Sequence, residues 1–274
     1  MGKLDGKVAL VTGSGRGIGQ AIAMKLASEG ARLVINDLDA EPAHETVELL
    51  RKEGTEAVAC VGNVTAPDFA ERFIGTAMRT FEGIDIIVNN AGYTWDDVIH
   101  KMTDEQWHAI VDCHMTAPFR ILRAAHPHIK ALHQADVEAG REVYRKIVNI
   151  SSTSGLNGNA GQVNYSSAKA GVIGMTRALS REWGRFNVNV NCVAFGLIHT
   201  RMTAADADAG ATINIEGRDI RVGLNPERLK TVAQRNPLGR GGTTAEAAGG
   251  VYLFCSPESN YITGQIIAVS GAPQ

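Results

Sequence analysis

Short apolar runs alternate with longer segments that carry a single apolar stripe along almost the whole chain. VALVT, RLVIN, EAVACV, IDIIVNN, KIVNIS, VNVNCVA and QIIAVS are brief, rich in β-branched residues, and read as strands. The segments between them read as helices. Ile18, Ile22 and Leu26 recur at i, i+4 and i+8, and Gly30 closes that helix. The next helix has Pro42 near its first turn, and a third carries Phe69, Phe73, Ala77 and Phe81 at near-helical spacing. In TDEQWHAIV, Thr103 stands three residues before Gln106, a capping-box pattern, and the helix continues through FRILRAAHPHIKALH with disturbances predicted at Pro118 and Pro127. Alternating units whose strands are apolar throughout predict an α/β fold with a doubly wound parallel sheet. Helices cover both faces, and ligands sit at the carboxyl ends of the strands.

Two segments break the alternation. Gln134 to Lys146, QADVEAGREVYRK, is charged and predicts a solvated excursion before the run IVNIS. Thr200 to about Arg240 is long and follows the strand that should border the ligand. Its position favours a segment covering the substrate, and a surface excursion is the alternative.

Composition narrows the classes. The 274 residues contain nothing that reads as a linker, so one domain over 1–274 is the simpler organisation. A net charge of −2 without a basic stripe argues against a nucleic-acid or acidic-membrane partner. With no signal-peptide pattern and no apolar run approaching eighteen residues, a soluble cytoplasmic protein is expected. Cys60, Cys113, Cys192 and Cys255 are widely spaced and predict buried reduced thiols rather than disulfides or a zinc site.

The chemistry is concentrated in a few motifs. TGSGRGIG, Thr12 to Gly19, joins the first strand to the first helix. Gly13 suits the tight turn, Gly17 the approach of a diphosphate and Gly19 close helix packing, while the helix N-terminus offers free N–H groups. The second strand ends at Asp37, where a carboxylate can accept from both ribose hydroxyls and repel a 2′-phosphate, predicting NAD rather than NADP. Arg16 argues mildly for NADP. Further on, Tyr165 and Lys169 in YSSAK share a helix face at i, i+4, and Ser152 ends an apolar run thirteen residues before Tyr165. This arrangement suits proton transfer to a carbonyl oxygen.

With TGSGRGIG, NNAG at Asn89 to Gly92, Ser152 and YSSAK in this order, the chain resembles the short-chain dehydrogenase/reductase family over essentially its whole length. The resemblance implies a Rossmann-type seven-stranded sheet of order 3-2-1-4-5-6-7, a homotetramer, and reversible hydride transfer between NAD(P) and an alcohol or carbonyl. It also assigns roles. Tyr165 is implied to be the general acid/base, Lys169 to hold the nicotinamide ribose and lower the tyrosine pKa, and Ser152 to bond the substrate oxygen. Asn90, Ala91 and Gly92 line the cofactor, Ile18 belongs to the diphosphate loop, Asn63 and Val64 meet the adenine, and Ile198 and Thr200 meet the carboxamide. Two departures stand out. His114 occupies the position of a relay asparagine, where an imidazole can still accept or donate one hydrogen bond, and Phe195-Gly196 replaces Pro-Gly, which predicts a looser turn.

Within the family, GNAGQVNYSSAKAGVIGMTRAL is similar to 3-oxoacyl carrier-protein reductases, and the residues at the second strand and at His114 are similar to hydroxyacyl-CoA dehydrogenases. The implied substrate is a 3-oxoacyl or 3-hydroxyacyl thioester on coenzyme A or acyl-carrier protein. Steroids, sugars and cyclic alcohols are the alternatives, and a non-catalytic dinucleotide sensor is the rival from another class. His126, His128 and His133 do not share one helix face, so they predict solvated side chains near a helix end rather than a metal site.

Overall fold

The computed structural model describes residues 2–200, 212–215, 217–221 and 236–271. A parallel seven-stranded sheet forms the centre. Its strands are β1 (Val8–Val11), β2 (Arg32–Ile35), β3 (Ala57–Ala59), β4 (Ile86–Asn89), β5 (Arg145–Ser152), β6 (Val188–Phe195) and β9 (Ile266–Val269), in the order β3-β2-β1-β4-β5-β6-β9. This is the expected order, with β9 in seventh place because β7 (Thr212–Ile215) and β8 (Arg218–Arg221) form a separate antiparallel hairpin. Within the segment predicted to cover the substrate, Thr200 to about Arg240, residues 201–211, 216 and 222–235 lie outside the described residues.

Alternate residues of each strand face opposite sides, so two cores form from one sheet. Ala9, Val11, Leu33, Ile35, Val148 and Val193 pack with α1 (Gly17–Ser28), α2 (Ala40–Lys52) and α8 (Thr244–Cys255). Val8, Leu10, Val34, Ile87 and Val190 pack with α3 (Phe69–Phe81), α5 (Ala117–Glu138) and Trp183 of α7 (Val163–Trp183). Phe69 and Phe73 are fully buried, each contributing about 1.5–3 kcal/mol by leaving water. The predicted capping box at Thr103 and Gln106 starts α4 (Asp104–Val111).

Three readings need correction, and one element was left unassigned. The charged stretch before β5 is mostly not an excursion: α5 runs to Glu138, and β5 already begins at Arg145. Arg145 and Lys146 are buried because their heads are paired, Arg145 with Asp136 at 2.8 Å and Lys146 with Asn189 and Asn260 at 2.8 Å each. Pro118 begins α5 after a wide π turn at Asp112–Thr116, while Pro127 lies inside α5. His126 and His133 are packed rather than solvated, their rings 5.7–5.9 Å from Trp183 and Phe186 within the same helical layer. Lastly, α8 has its own Thr243–Glu246 capping box, a readable signal that the strand pattern left unassigned.

All four cysteines are buried and free. Among the described residues no group of His, Cys, Asp or Glu could hold a metal ion, and no helix is long and apolar enough to cross a membrane.

Candidate active site

The carboxyl ends of β1, β4, β5 and β6 gather the predicted motifs along one edge of the sheet. After β1, Gly17 adopts φ +62° with open space beside it, so an L side chain there is disfavoured by backbone conformation and not by crowding. Gly19 is fixed by proximity instead, since a Cβ there would stand 2.0 Å from Gly13 O. Helix α1 begins without a side-chain cap or an acidic residue in its first turn. Its free N–H groups and bare glycine surface fit a diphosphate. Ile18 is half-buried against the core under α1.

Asn90 braces this loop. Its Nδ2 donates to Thr12 O at 2.9 Å and Gly13 O at 3.0 Å, while Thr12 Oγ1 accepts from the backbone N–H groups of Asn90 and Ala91. Asp37 is nearly buried at the end of β2 and accepts from Gly15 N at 3.1 Å and Asp39 N at 3.2 Å. Gly15 has a role that the sequence reading missed: a Cβ there would lie 2.7 Å from Asp37 Oδ2. Arg16 pairs with Asp39 at 2.6 Å and stands 3.9 Å from Asp37. Asn63 Oδ1 accepts from Thr65 N at 2.9 Å, so part of its carboxamide shapes its own loop, and Val64 is buried behind it.

Ser152, Tyr165 and Lys169 converge where β5 meets α7. Ser152 ends β5 and caps the short helix α6 (Thr153–Asn157), accepting from Ser154 N at 3.1 Å. Helix α6 lies so close to α7 that a Cβ on Gly155 would come within 2.7 Å of the Lys169 carbonyl carbon. Lys169 Nζ donates to Ile150 O at 2.7 Å and lies 5.7 Å from the Tyr165 ring centre. Burial pushes the Tyr165 phenol up to about 12, against a hydrogen bond from Ser152 that lowers it. Burial also brings Lys169 down to about 8. In the protein by itself, desolvation therefore outweighs the expected lowering of the tyrosine pKa.

His114 stands beside them in the π turn, its ring edge-on to Tyr165 with centres 5.0 Å apart. The ring fits because Gly92 lacks a side chain, whose Cβ would stand 2.2 Å from His114 Cε1. Nε2 lies 2.7 Å from Tyr93 O, and a carbonyl only accepts, so Nε2 carries the proton and Nδ1 is an acceptor. Nδ1 is buried and meets no donor among the described residues. Burial, helped by the charge of Lys169, holds the imidazole well below 6.5, and the ring is neutral at pH 7.

Two further features complete the site. Asn164 is fully buried and was not anticipated: its Nδ2 donates to Trp95 O and Gln106 O, and its Oδ1 accepts from Tyr165 N at 2.7 Å. It thereby ties the tyrosine to α4 and to the loop after Gly92. On the other side, β6 continues through Phe195, which is buried, and Gly196 N donates to Val269 O at 3.1 Å. The turn predicted to loosen without proline is held by this ladder. Ile198 is buried and bridges to Gly242, with half-buried Thr200 two residues on.

Comparison with known proteins points the same way. The profile of the family described as short chain dehydrogenase matches residues 7–210. The chain is 37% identical over 268 residues to 3-oxoacyl-[acyl-carrier-protein] reductase FabG of Vibrio cholerae, spanning 98% of this chain and 97% of that protein. It is 38% identical over 274 residues to the 3-oxoacyl-[acyl-carrier-protein] reductase of Synechocystis, spanning 99% and 98%. It is 35% identical over 271 residues to (2S)-[(R)-hydroxy(phenyl)methyl]succinyl-CoA dehydrogenase subunit BbsD of Thauera aromatica, spanning 98% and 96%. Matched along its length and carrying the glycine cradle beside Ser152, Tyr165 and Lys169, the chain belongs to the short-chain dehydrogenase family of oxidoreductases, acting between an alcohol and a ketone.

Proposed function

We propose that this protein is an NAD(H)-dependent oxidoreductase that interconverts 3-oxoacyl and 3-hydroxyacyl thioesters, with Ser152, Tyr165 and Lys169 as its proton-handling residues. The observation that carries the reading is the convergence of these side chains at the end of β5, next to the glycine cradle. When bound, the nicotinamide dinucleotide supplies or accepts the hydride. Ser152 Oγ orients the substrate oxygen. Tyr165, kept protonated by burial, gives its proton to that oxygen as the ketone is reduced, and takes it back in the reverse direction. Lys169 places a cation beside the phenol and offers N–H donors toward the nicotinamide ribose. His114 Nδ1 supplies a neutral acceptor near the ammonium, suited to holding a water in the proton path.

NAD is favoured over NADP by the nearly buried Asp37 carboxylate and by the engagement of Arg16 with Asp39. The thioester substrate is supported by the printed activities of the relatives, two of which name an acyl-carrier-protein substrate and one a CoA thioester bearing a secondary alcohol. A cytoplasmic homotetramer of single-domain chains completes the reading.

Initial rates with acetoacetyl-CoA, measured with NADH and with NADPH beside a panel of steroid and cyclic ketones, test it. Preferred turnover of the thioester with NADH is expected. Turnover of the other ketones alone would remove the acyl assignment, and an equal rate with NADPH would remove the role given to Asp37.

A further inference from the structure

We infer that the β7–β8 hairpin roofs the adenosine end of the dinucleotide rather than the reacting carbonyl, with Arg218 as the positioning residue that latches it. The inference rests on the reading above that a dinucleotide is bound. A cavity of about 280 Å³ opens between Asn63 and Thr65 on one side and Ile215 and Arg218 of the hairpin on the other, with Tyr93 and Ala109 also on its wall. Ser152, Tyr165 and Lys169 do not line it. Small-molecule pockets begin at roughly 300 Å³, so this volume takes one heterocycle and not a whole dinucleotide.

Its place and charge both select a base. Gly62 N donates to Asp37 O at 2.9 Å, so the carboxylate placed for the adenosine ribose and the wall at Asn63 are joined through adjacent residues. A base on a ribose at Asp37 starts next to the cavity. Phosphate is disfavoured, because Glu105 and Asp112 line the cavity and its single guanidinium, Arg218, is already bonded to Glu105 at 2.8 Å. An uncharged heterocycle with hydrogen-bonding edges meets no such penalty.

The hairpin is built to hold and to let go. Ile220 is buried and anchors it, and Asn214 shapes its turn by accepting from Gly217 N and donating to Asp219. Arg218 also lies 5.9 Å from the ring centre of Trp95, whose carbonyl accepts from Asn164 beside Tyr165. One arginine thus joins the hairpin to α4 and to the loop leading to the catalytic tyrosine. The Arg218–Glu105 pair is partly exposed on both sides, and such pairs are weak. A weak latch suits a roof that must open in every turnover.

The test follows NADH binding by fluorescence and NADH release by stopped flow in the full-length wild type, Arg218→Ala, Glu105→Gln and the charge-reversed double variant Arg218→Glu/Glu105→Arg. Reduced nicotinamide mononucleotide, which lacks the adenosine, serves as the second probe through its KM as hydride donor. Each single variant is expected to release NADH about two- to fivefold faster, with affinity falling by the same factor. The mononucleotide KM should stay unchanged, and the charge-reversed pair should restore slow release. Unchanged NADH release in the single variants, or an equal loss with the mononucleotide, overturns the roof. Glu105→Gln tests the same contact if Arg218→Ala does not fold. A wild type that binds neither NADH nor NADPH would instead overturn the oxidoreductase reading, and the roof with it.

Discussion

Tyr165 and Lys169 are both driven towards their neutral forms by burial, and His114 is held neutral between them and the loop at Tyr93. If the Nδ1 acceptor is what His114 contributes, His114→Asn should keep activity within about tenfold, whereas His114→Leu should lose roughly 10²-fold or more, read as kcat at fixed saturating substrate. The same residue carries a stability signature. Its folded pKa lies below the unfolded value of 6.5, so below pH 6.5 the unfolded chain binds a proton that the native state refuses. Stability should therefore fall as the pH drops through about 6.5, and His114→Asn should lessen that fall in urea titrations across this range. The convergence of Ser152, Tyr165 and Lys169 was readable because it depends on local spacing: i, i+4 on a helix and the end of a strand. Asn164 was not, because its role is made by partners 58 and 69 residues away.

At the level of elements, the close seat of α6 on α7 positions Lys169. Gly155→Ala pushes a methyl to 2.7 Å from backbone, and a packed helix pair has little room to yield. The expected result is a loss of about 1–3 kcal/mol in unfolding free energy together with a lowered kcat, measured by urea denaturation and initial rates. Strand β5 supplies a second test. Lys146 is buried at its start, and its pKa is brought down to about 8 from 10.5 by burial. Between those values the unfolded chain binds more protons than the native one, so stability attributable to this group rises with pH. The stability of wild type relative to Lys146→Met should grow by up to roughly 3 kcal/mol from pH 8 to 10.5. A constant difference would show that Lys146 does not titrate in that window. The seven strands of the parallel sheet and most of the long helices were legible in the apolar pattern, whereas the burial at the start of β5 was not. Arg145 and Lys146 look solvated in sequence, and only partners brought by the fold, Asp136, Asn189 and Asn260, make their burial tolerable.

Across the whole molecule, the sheet has the order that the family resemblance implied, yet one edge is left thin. Strand β9 is half-buried along its length, and Leu253 and Tyr261 on neighbouring segments are 60% and 102% exposed. An apolar sheet edge of this kind is a pairing surface, and the proposed homotetramer would cover it. Light scattering should give the mass of four chains, and Leu253→Arg should lower it; a monomeric wild type would remove the assembly. The β7–β8 hairpin was unreadable in advance: the segment's position favoured a cover over the substrate, but no apolar run in it marked two strands. The reading of the site itself is tested most directly by single-turnover reduction of acetoacetyl-CoA with NADH in the wild type and in Tyr165→Phe, with NADH binding measured in both. The account predicts rapid hydride transfer in the wild type and a loss of roughly 10²- to 10⁴-fold in the variant while NADH binding persists. Undiminished transfer in Tyr165→Phe, or a wild type that binds NADH and transfers nothing, would contradict it.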